Sequence, residues 1–160
     1  MAAEAIPLSV NSDGNLRITA VAWADDAKSV ADLATGDDLT YSLKTFNRST
    51  AEANIPDPRL TLKTVLSKRG KTTETIEVQG VFGDDDDVAY TVCAPGTKLK
   101  IAARYSIPNE TAWTAAQVAD ILYIECGARR KDAPVENGVQ TYTQSWYPIQ
   151  PSEEDVALSA

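Results

Sequence analysis

The chain contains no histidine. That absence removes the side chain most often used as a general base near neutral pH, which is also the commonest metal ligand, and it counts against hydrolase and metalloenzyme readings together. Cysteine is scarce. Cys93 and Cys126 stand about thirty residues apart, outside any metal-like spacing, so buried reduced thiols are expected rather than a disulfide or a zinc site. No apolar run approaches the ~20 residues that cross a bilayer, so membrane insertion is not expected. The opening MAAEAIPLSV has neither a basic leader nor a continuous apolar stretch, so export by a signal peptide is not expected and synthesis in the cytoplasm is. No SxxK or GxSxG string is present, and a Ser, Thr or Cys nucleophile without histidine needs a lysine or terminal amine as its base. The expectation is a protein that is not an enzyme and holds no cofactor.

Basic charge is also in deficit. Fifteen Lys and Arg face twenty-three Asp and Glu, giving a net charge of −8. A pI near 4.5 opposes gripping of duplex DNA, an affinity that comes largely from cations neutralising phosphates. The 160 residues fit one domain, and a chain of this length buries roughly two thirds of its unfolded surface without staples. Neither an internal repeat nor a linker that would separate two domains is evident.

What the sequence has in quantity is period-two alternation of β-branched and aromatic residues, which predicts a mainly β, antiparallel sandwich or small barrel with one short flanking helix. Leu16 to Ala24 reads as the first strand, followed by a loop with one helical turn and a second strand over Asp37 to Phe46. Asn47 to Pro58 is polar, holds two prolines and lacks an apolar pattern, so it reads as a long loop. Leu60 to Ser67 and Thr72 to Phe82 read as a hairpin turning at SKRGK, with Ile76, Val78 and Phe82 inward and Glu74, Glu77 and Gln79 outward. GDDDDVAYTVCAPG suits a short helix with acids at its positive end and Pro95-Gly96 closing it. Thr97 to Ser106 alternates, with Leu99, Ile101, Ala103 and Tyr105 inward and Lys98, Lys100 and Arg104 outward. Ile121 to Cys126 is apolar on both faces, as a central strand is. GARRKDAPVENG reads as a charged connector, Val139 to Tyr147 as a strand with Tyr142 and Trp146 on one face, and the C-terminal apolar run as an edge addition.

Candidate sites carry little chemistry. The run Asp84 to Asp87 invites a calcium reading, but the alternate spacing, sixth-position Gly and twelfth-position Glu of an EF-hand loop are missing, and helix-capping surface charge is favoured. The cations Arg59, Lys63, Lys68, Arg69 and Lys71 lie on the expected hairpin, where a subunit contact with acidic neighbours is favoured over a nucleic-acid patch. Arg129, Arg130 and Lys131, flanked by Glu125 and Asp132, suit ion pairing between subunits. Trp23, Trp113 and Trp146 read as core or interface packing.

Four strings point to a family: DLATGDDLTYSL from Asp32, DPRLTLKTV from Asp57, DDDDVAYTVCAPGTKLKIAAR from Asp84, and AWTAAQVADILYIECGARRKDAPVENGVQTYTQSW from Ala112. In that order they resemble the tail tube proteins of siphophages, particularly those infecting actinobacteria, with Val118 to Pro134 the most specific stretch. Ala116-Gln117 stands where a Gly-bearing turn is frequent, which bears on turn geometry and not on chemistry. The resemblance implies a structural virion protein, assembled in the host cytoplasm and carried in the tail. It implies hexameric rings stacked into a tube that passes double-stranded DNA, with tape measure and tail terminator proteins as further partners. It implies that an N-terminal arm (1–15), the long loop (47–58) and a C-terminal arm (152–160) join rings around a β core (16–147).

Six copies at −8 give a ring of about −48, which repels a DNA backbone and lets it slide. Glu74 and Glu77 are the expected lumen-facing acids. Asn47, Arg48, Arg129, Arg130, Lys131 and Asp132 are the expected inter-subunit contacts. The alternatives are a non-enzymatic β-sandwich that binds a host or ligand, and a small β-barrel hydrolase.

Overall fold

In the computed structural model, residues 5, 8–83 and 85–160 are described. Asp84 and most of the first seven residues, on which the acidic run and the N-terminal arm partly fall, lie outside them. The described chain is mostly β: a single curled antiparallel sheet, a half-barrel, with two short helices where one was expected. In chain order the elements are β1 (Leu16–Ala22), α1 (Val30–Thr35), β2 (Asp37–Asp38), β3 (Leu43–Asp57), β4 (Leu66–Val81), α2 (Val88–Val92), β5 (Lys98–Tyr105), β6 (Val118–Lys131), β7 (Thr141–Pro148) and β8 (Glu153–Ala157). The sheet runs β2-β1-β5-β6-β7-β4-β3, and β8 pairs with the start of β6.

Two cores explain which strands are buried on which faces. The concave side encloses Ile18, Leu39, Ile76, Val78, Ile101, Leu122, Ile124 and Trp146, and α2 plugs it with Ala89 and Cys93. The convex side of β1, β5 and β6 is covered separately by Ala27, Leu33 of α1, Trp113 and Leu158, packed on Val21, Ala102, Ala119 and Ile121. Strands β1, β5 and β6 are therefore apolar on both faces, as expected for 121–126 of β6, while alternation located β1 and β5 without giving the facing of every residue on them. Arg104, expected outward on β5, lies fully buried on this second side. Its guanidinium sits 4.7 Å from the Trp113 ring centre, and its NH groups donate to the carbonyls of Pro108, Thr111 and Ala112, closing the loop after β5.

Strands β3, β4 and β7 receive no second cover, and here the sequence reading needs its largest corrections. Residues 47–58, expected as a loop, are almost wholly strand β3, held through ten cross-strand partners in β4. Pro56 is tolerated because β3 is an edge strand, with one side free of hydrogen-bond partners. Most of the hairpin expected over 60–82 is one strand, β4, which runs through Gly70 with a register shift in the ladder there, and the true hairpin joins β3 to β4 through residues 58–65. The strand expected over 37–46 is divided into β2 and the start of β3 by a turn at 40–42. The first five residues of the expected connector, 127–131, continue β6.

Tyr142 and Trp146 do share the concave face of β7, with Gln144 between them. Gln144 donates to the Cys93 and Gly127 carbonyls at 2.9 and 2.7 Å and accepts from the Trp146 indole at 3.2 Å, so a buried amide is fully used in fixing α2 to β6 and β7. Tyr142 lies over Gly80 on the neighbouring strand, where an added Cβ would stand 2.7 Å from the ring. Its hydroxyl is buried without a hydrogen-bond partner, and burial pushes the phenol pKa up.

Gly80→Ala should therefore lower unfolding free energy by about 1–3 kcal/mol, since the ring has no space to retreat into. Tyr142→Phe should leave stability unchanged or raised, since it removes an unsatisfied buried group. Urea denaturation with a constant m-value reads both, and an undisturbed Gly80→Ala protein would contradict the packing described.

Candidate functional site

The uncovered convex face of β3, β4, β7 and the second half of β6 is built from short polar side chains. Register fixes its composition. Asn47 opposes Glu77, Thr45 opposes Gln79 and Ser49 opposes Thr75 across β3 and β4. Gln79 in turn opposes Thr143 and Glu77 opposes Ser145 across β4 and β7, and Arg130 of β6 opposes Thr143. Residues opposed in this way stand on one face, so hydroxyls and amides form a continuous surface, with Glu77 and Arg130 among its few charges.

Asp132 is tied into this surface. Its carboxylate accepts from Gln79 Nε2 at 2.9 Å and from the Thr141 and Thr143 hydroxyls at 2.8 Å each, and these three donors hold its pKa below the ordinary carboxylate value. Tyr147 lies flat over Gly127 on the same face, where a Cβ would come within 2.6 Å of the ring. Glycine is required there so that the aromatic ring can lie down against the sheet.

Glu74 and Glu77, expected to share a face, are separated by three positions on a regular stretch of strand and stand on opposite sides. Glu77 lies on the polar face and is exposed. Glu74 turns to the concave side, where its carboxylate meets Arg48 at 2.9 Å.

Arg48 is the hub of a network closing the mouth of the concave core. It reaches Asp120 on β6 at 2.8 Å and Glu154 on β8 at 3.7 Å, with its own side chain 17% exposed. The Ser152 hydroxyl donates to Glu74, and the Asp155 N–H donates to Asp120 at 3.0 Å. On the other side of β8, Glu153 accepts from Lys28 and from the Tyr123 hydroxyl, each at 2.8 Å. The segment expected as a C-terminal arm is thus fastened to its own subunit from both sides, with Leu158 buried.

Of the six expected inter-subunit residues, Asn47, Arg130 and Asp132 belong to the polar face, and Arg48 is spent on the network above. Arg129 donates to the Tyr90 carbonyl and lies 3.9 Å over that ring, while Lys131 lies 4.8 Å over Phe82. Both cations hold α2 and the preceding loop to β6. The polar face itself was readable in TYTQSWYP, where Thr141, Thr143 and Ser145 alternate against Tyr142, Gln144 and Trp146. The apolar run of β8 was readable as an addition to an edge, and β8 does pair with β6, but the side chains that fasten it had no local signal, because their partners are far away in sequence.

Catalytic or metal chemistry finds no support in these groups. Among the described residues no cluster of three His, Cys, Asp or Glu could hold a metal. Cys93 and Cys126 are buried free thiols, and the neighbouring Cys126 sulfur together with burial pushes the Cys93 thiol well up, away from the reactive thiolate. The open groove between the β3–β4 ribbon and residues 148–154 contains Arg48 and Arg69, each already paired, with Glu74 and Glu52 respectively. No described helix is long and apolar enough to cross a membrane.

What remains is a surface and two open strand edges. Strand β3 is bonded on one side only along its length. Residues 127–131 of β6 pair with β7 alone, since the β5 ladder ends at Glu125 and only the Cys126 backbone continues it through Gly96 and Thr97.

Comparison with known proteins places this geometry. A family model described as "Phage tail tube protein" matches residues 3–160. The fold is similar to that of a chain in the cryo-EM structure of the anti-feeding prophage baseplate, six-fold symmetrised, with TM-score 0.57, 7% identity and 96% of each chain covered. It is also similar to a chain of the native gene transfer agent virion, with TM-score 0.55, 12% identity, and 91% of this chain and 99% of that one covered. A chain from the tail of the empty gene transfer agent particle, refined helically with C6 symmetry, aligns with TM-score 0.55, 14% identity and the same coverage. No curated protein matches the chain.

Two predictions rest on the network. Arg48→Ala leaves Glu74 and Asp120 facing each other, part-buried, without their cation. It should cost about 1–3 kcal/mol, at or below the low end for a fully buried pair because some solvent reaches the site; a melt equal to wild type would refute the hub. The hydrogen bond from Lys28, then that from Tyr123, holds Glu153 below its usual pKa. A carboxylate depressed in the folded state stabilises above the ordinary glutamate value of about 4.3 and loses that contribution as pH falls through the lower folded value. NMR signals of 156–158 should therefore shift with acid in wild type and lose that transition in Glu153→Gln.

Proposed function

This chain belongs to the phage tail tube protein family, and from that premise we propose that it is the repeating subunit of a tail tube, stacked as hexameric rings around a lumen that passes double-stranded DNA. The chain is a structural tail component; the ring count, the lumen and the DNA are the proposal. The observation that carries it is the four-stranded sheet β3-β4-β7-β6, which has a bare polar face and an open edge at each end. An open edge is a template for pairing with another chain, and natural monomers normally cover or shorten such edges. Here the edge at β3 is fifteen residues long. Copies meeting β3 to the 127–131 edge of β6 continue one sheet around a ring, with Asn47 and Arg130 beside the junction.

Six-fold arrangement is supported by the symmetry under which two of the similar structures were determined. Closing the ring then turns one face of each subunit toward the lumen. The polar face suits that position, because hydroxyls and amides keep water at the wall while offering no row of cations to hold phosphates. Glu77 is the lumen acid of this arrangement, and Glu74 is withdrawn to the subunit interior. In the assembled particle the tube meets tape measure and tail terminator proteins, after synthesis and assembly in the host cytoplasm.

Negative-stain microscopy of concentrated protein should show rings or hollow tubes; isolated globules at high concentration would overturn the reading. Replacing Glu77 and Thr143 together by lysine should leave tube formation intact and slow DNA ejection from assembled phage by an order of magnitude or more, since twelve added cations per ring bind phosphate. Ejection at the wild-type rate would remove these residues from the lumen.

A further inference from the structure

Both cysteines of the chain meet in one contact. Cys93 stands where α2 ends and Cys126 stands on β6, thirty-three positions later in the chain, yet both lie in the concave core at 0% and 2% exposure. Backbone hydrogen bonds clamp the two segments together. The Gly96 N–H donates to the Cys126 carbonyl at 2.7 Å, and the Cys126 N–H donates to the Thr97 carbonyl at 2.9 Å. The Gln144 amide adds a further tie, donating to the Cys93 and Gly127 carbonyls at 2.9 and 2.7 Å. Packing alone treats cysteine as a small hydrophobe; what distinguishes a facing pair is the bond it can form.

The pair is not symmetric. The Cys93 thiol donates to the Cys126 sulfur and so holds its proton tightly, and burial adds to that. The same hydrogen bond, opposed by burial and helped by the Arg129 guanidinium, holds the Cys126 thiol below its ordinary pKa. One sulfur leans to the thiolate while its neighbour stays a thiol, which is the division between an attacking and a resolving cysteine.

We propose that Cys93 and Cys126 form a redox modification site, closing to an intramolecular disulfide that pins α2 to β6 when the protein meets hydrogen peroxide. The Cys126 thiolate attacks one peroxide oxygen: an S–O bond forms, the O–O bond breaks, and the departing hydroxide takes up the proton that Cys126 released, leaving as water. The Cys93 sulfur then attacks the sulfenic sulfur of Cys126. The S–S bond forms, the S–O bond breaks, and hydroxide leaves with the Cys93 proton as a second water. Two thiols lose two electrons and the peroxide gains them.

Access runs through α2. At five residues it is too short to persist as a helix alone, and Arg129 over Tyr90 together with the Gln144 bonds keeps it seated. The sulfurs therefore meet solute when α2 opens locally, with the sheet intact. Once formed, the cross-link withdraws conformational freedom from the unfolded chain. This chemistry does not depend on the tube reading, which supplies only its timing: a tail subunit is made in a reducing compartment and used outside it.

The test uses the purified full chain, reduced, freed of reductant and exposed to hydrogen peroxide without denaturant. The expected product is a monomer that has lost two hydrogens in mass and shows no thiol reactivity after unfolding, with one linked peptide pair carrying Cys93 and Cys126. It should melt at a higher temperature than the reduced protein, and dithiothreitol should restore the starting melt. In Cys93→Ala the Cys126 sulfenic acid has no resolving partner and is captured by dimedone, whereas in Cys126→Ala the remaining thiol oxidises at least about tenfold more slowly. Free thiols that survive peroxide sufficient to oxidise glutathione in the same vessel would overturn the site. So would sulfinic or sulfonic acid at either position in place of the link, or a link between two copies. A linked monomer that melts no higher than the reduced one would overturn the pinning of α2. Where an alanine variant fails to fold, the wild-type mass map and melt decide alone. Tube formation is read separately by microscopy, so failure here leaves that reading standing.

Discussion

The structure depends on a mismatch between sheet and core. Eight strands hydrogen-bond in one sheet, yet the chain has apolar cover for both faces of only three of them, β1, β5 and β6. The rest of the sheet is covered on its concave side alone. Backbone hydrogen-bonding groups on the outer side of β3 and along 127–131 have no strand partner within the described chain and are open to solvent. A domain of this length could bury more of itself, so the bare surface is a property of how the apolar residues are distributed and not of chain size.

Arg48 reconciles the two halves. The β3–β4 ribbon leaves the core at the level of Ile76, the residue opposite Arg48 in the register. Beyond that level no apolar residue of the ribbon is buried, and the guanidinium bridges β3 to β4 through Glu74, to β6 through Asp120 and to β8 through Glu154. One cation with three carboxylates leaves a negative remainder at a part-buried site, which the Ser152 hydroxyl and the Asp155 N–H help to solvate. The position of the ribbon and the fastening of the C-terminal strand are thus one electrostatic unit.

How much was legible follows from the same mismatch. Where a strand has one buried face, period two is written into the residues: TYTQSWYP separates Tyr142 and Trp146 from Thr141, Thr143 and Ser145, and the structure keeps that separation. Where a strand has two buried faces, the apolar run is still visible, as in Ile121 to Cys126, but the facing of Arg104 is not. Where a strand has no buried face, nothing is written. Asn47 to Pro58 lacks any apolar period because both sides of that part of the ribbon are wet, and its strand identity comes from β4 across the ladder. The family strings carried more than periodicity did, since they specified a tail tube protein when the polar ribbon was read only as an excursion. The paired reading of Glu74 and Glu77 failed on parity alone, a check available in the sequence.

In the proposed tube, a polar, nearly uncharged inner wall and a strongly acidic subunit are compatible once charge is assigned by place. Net charge sets the long-range field, which repels phosphate from a ring of any composition bearing about −48. Contact chemistry is set by the few side chains on the face itself, where Asp132 is spent on Gln79 and two threonines and Arg130 offsets Glu77. DNA in such a channel would be held off by distant carboxylates while meeting hydroxyls at the wall. Friction, which depends on contacts made and broken, would then be governed by hydration of threonine and serine and not by ion pairs. The acids excluded from the wall stand on β2, in the loop before α2 and around Arg48, and those around Arg48 hold β3, β4, β6 and β8 together.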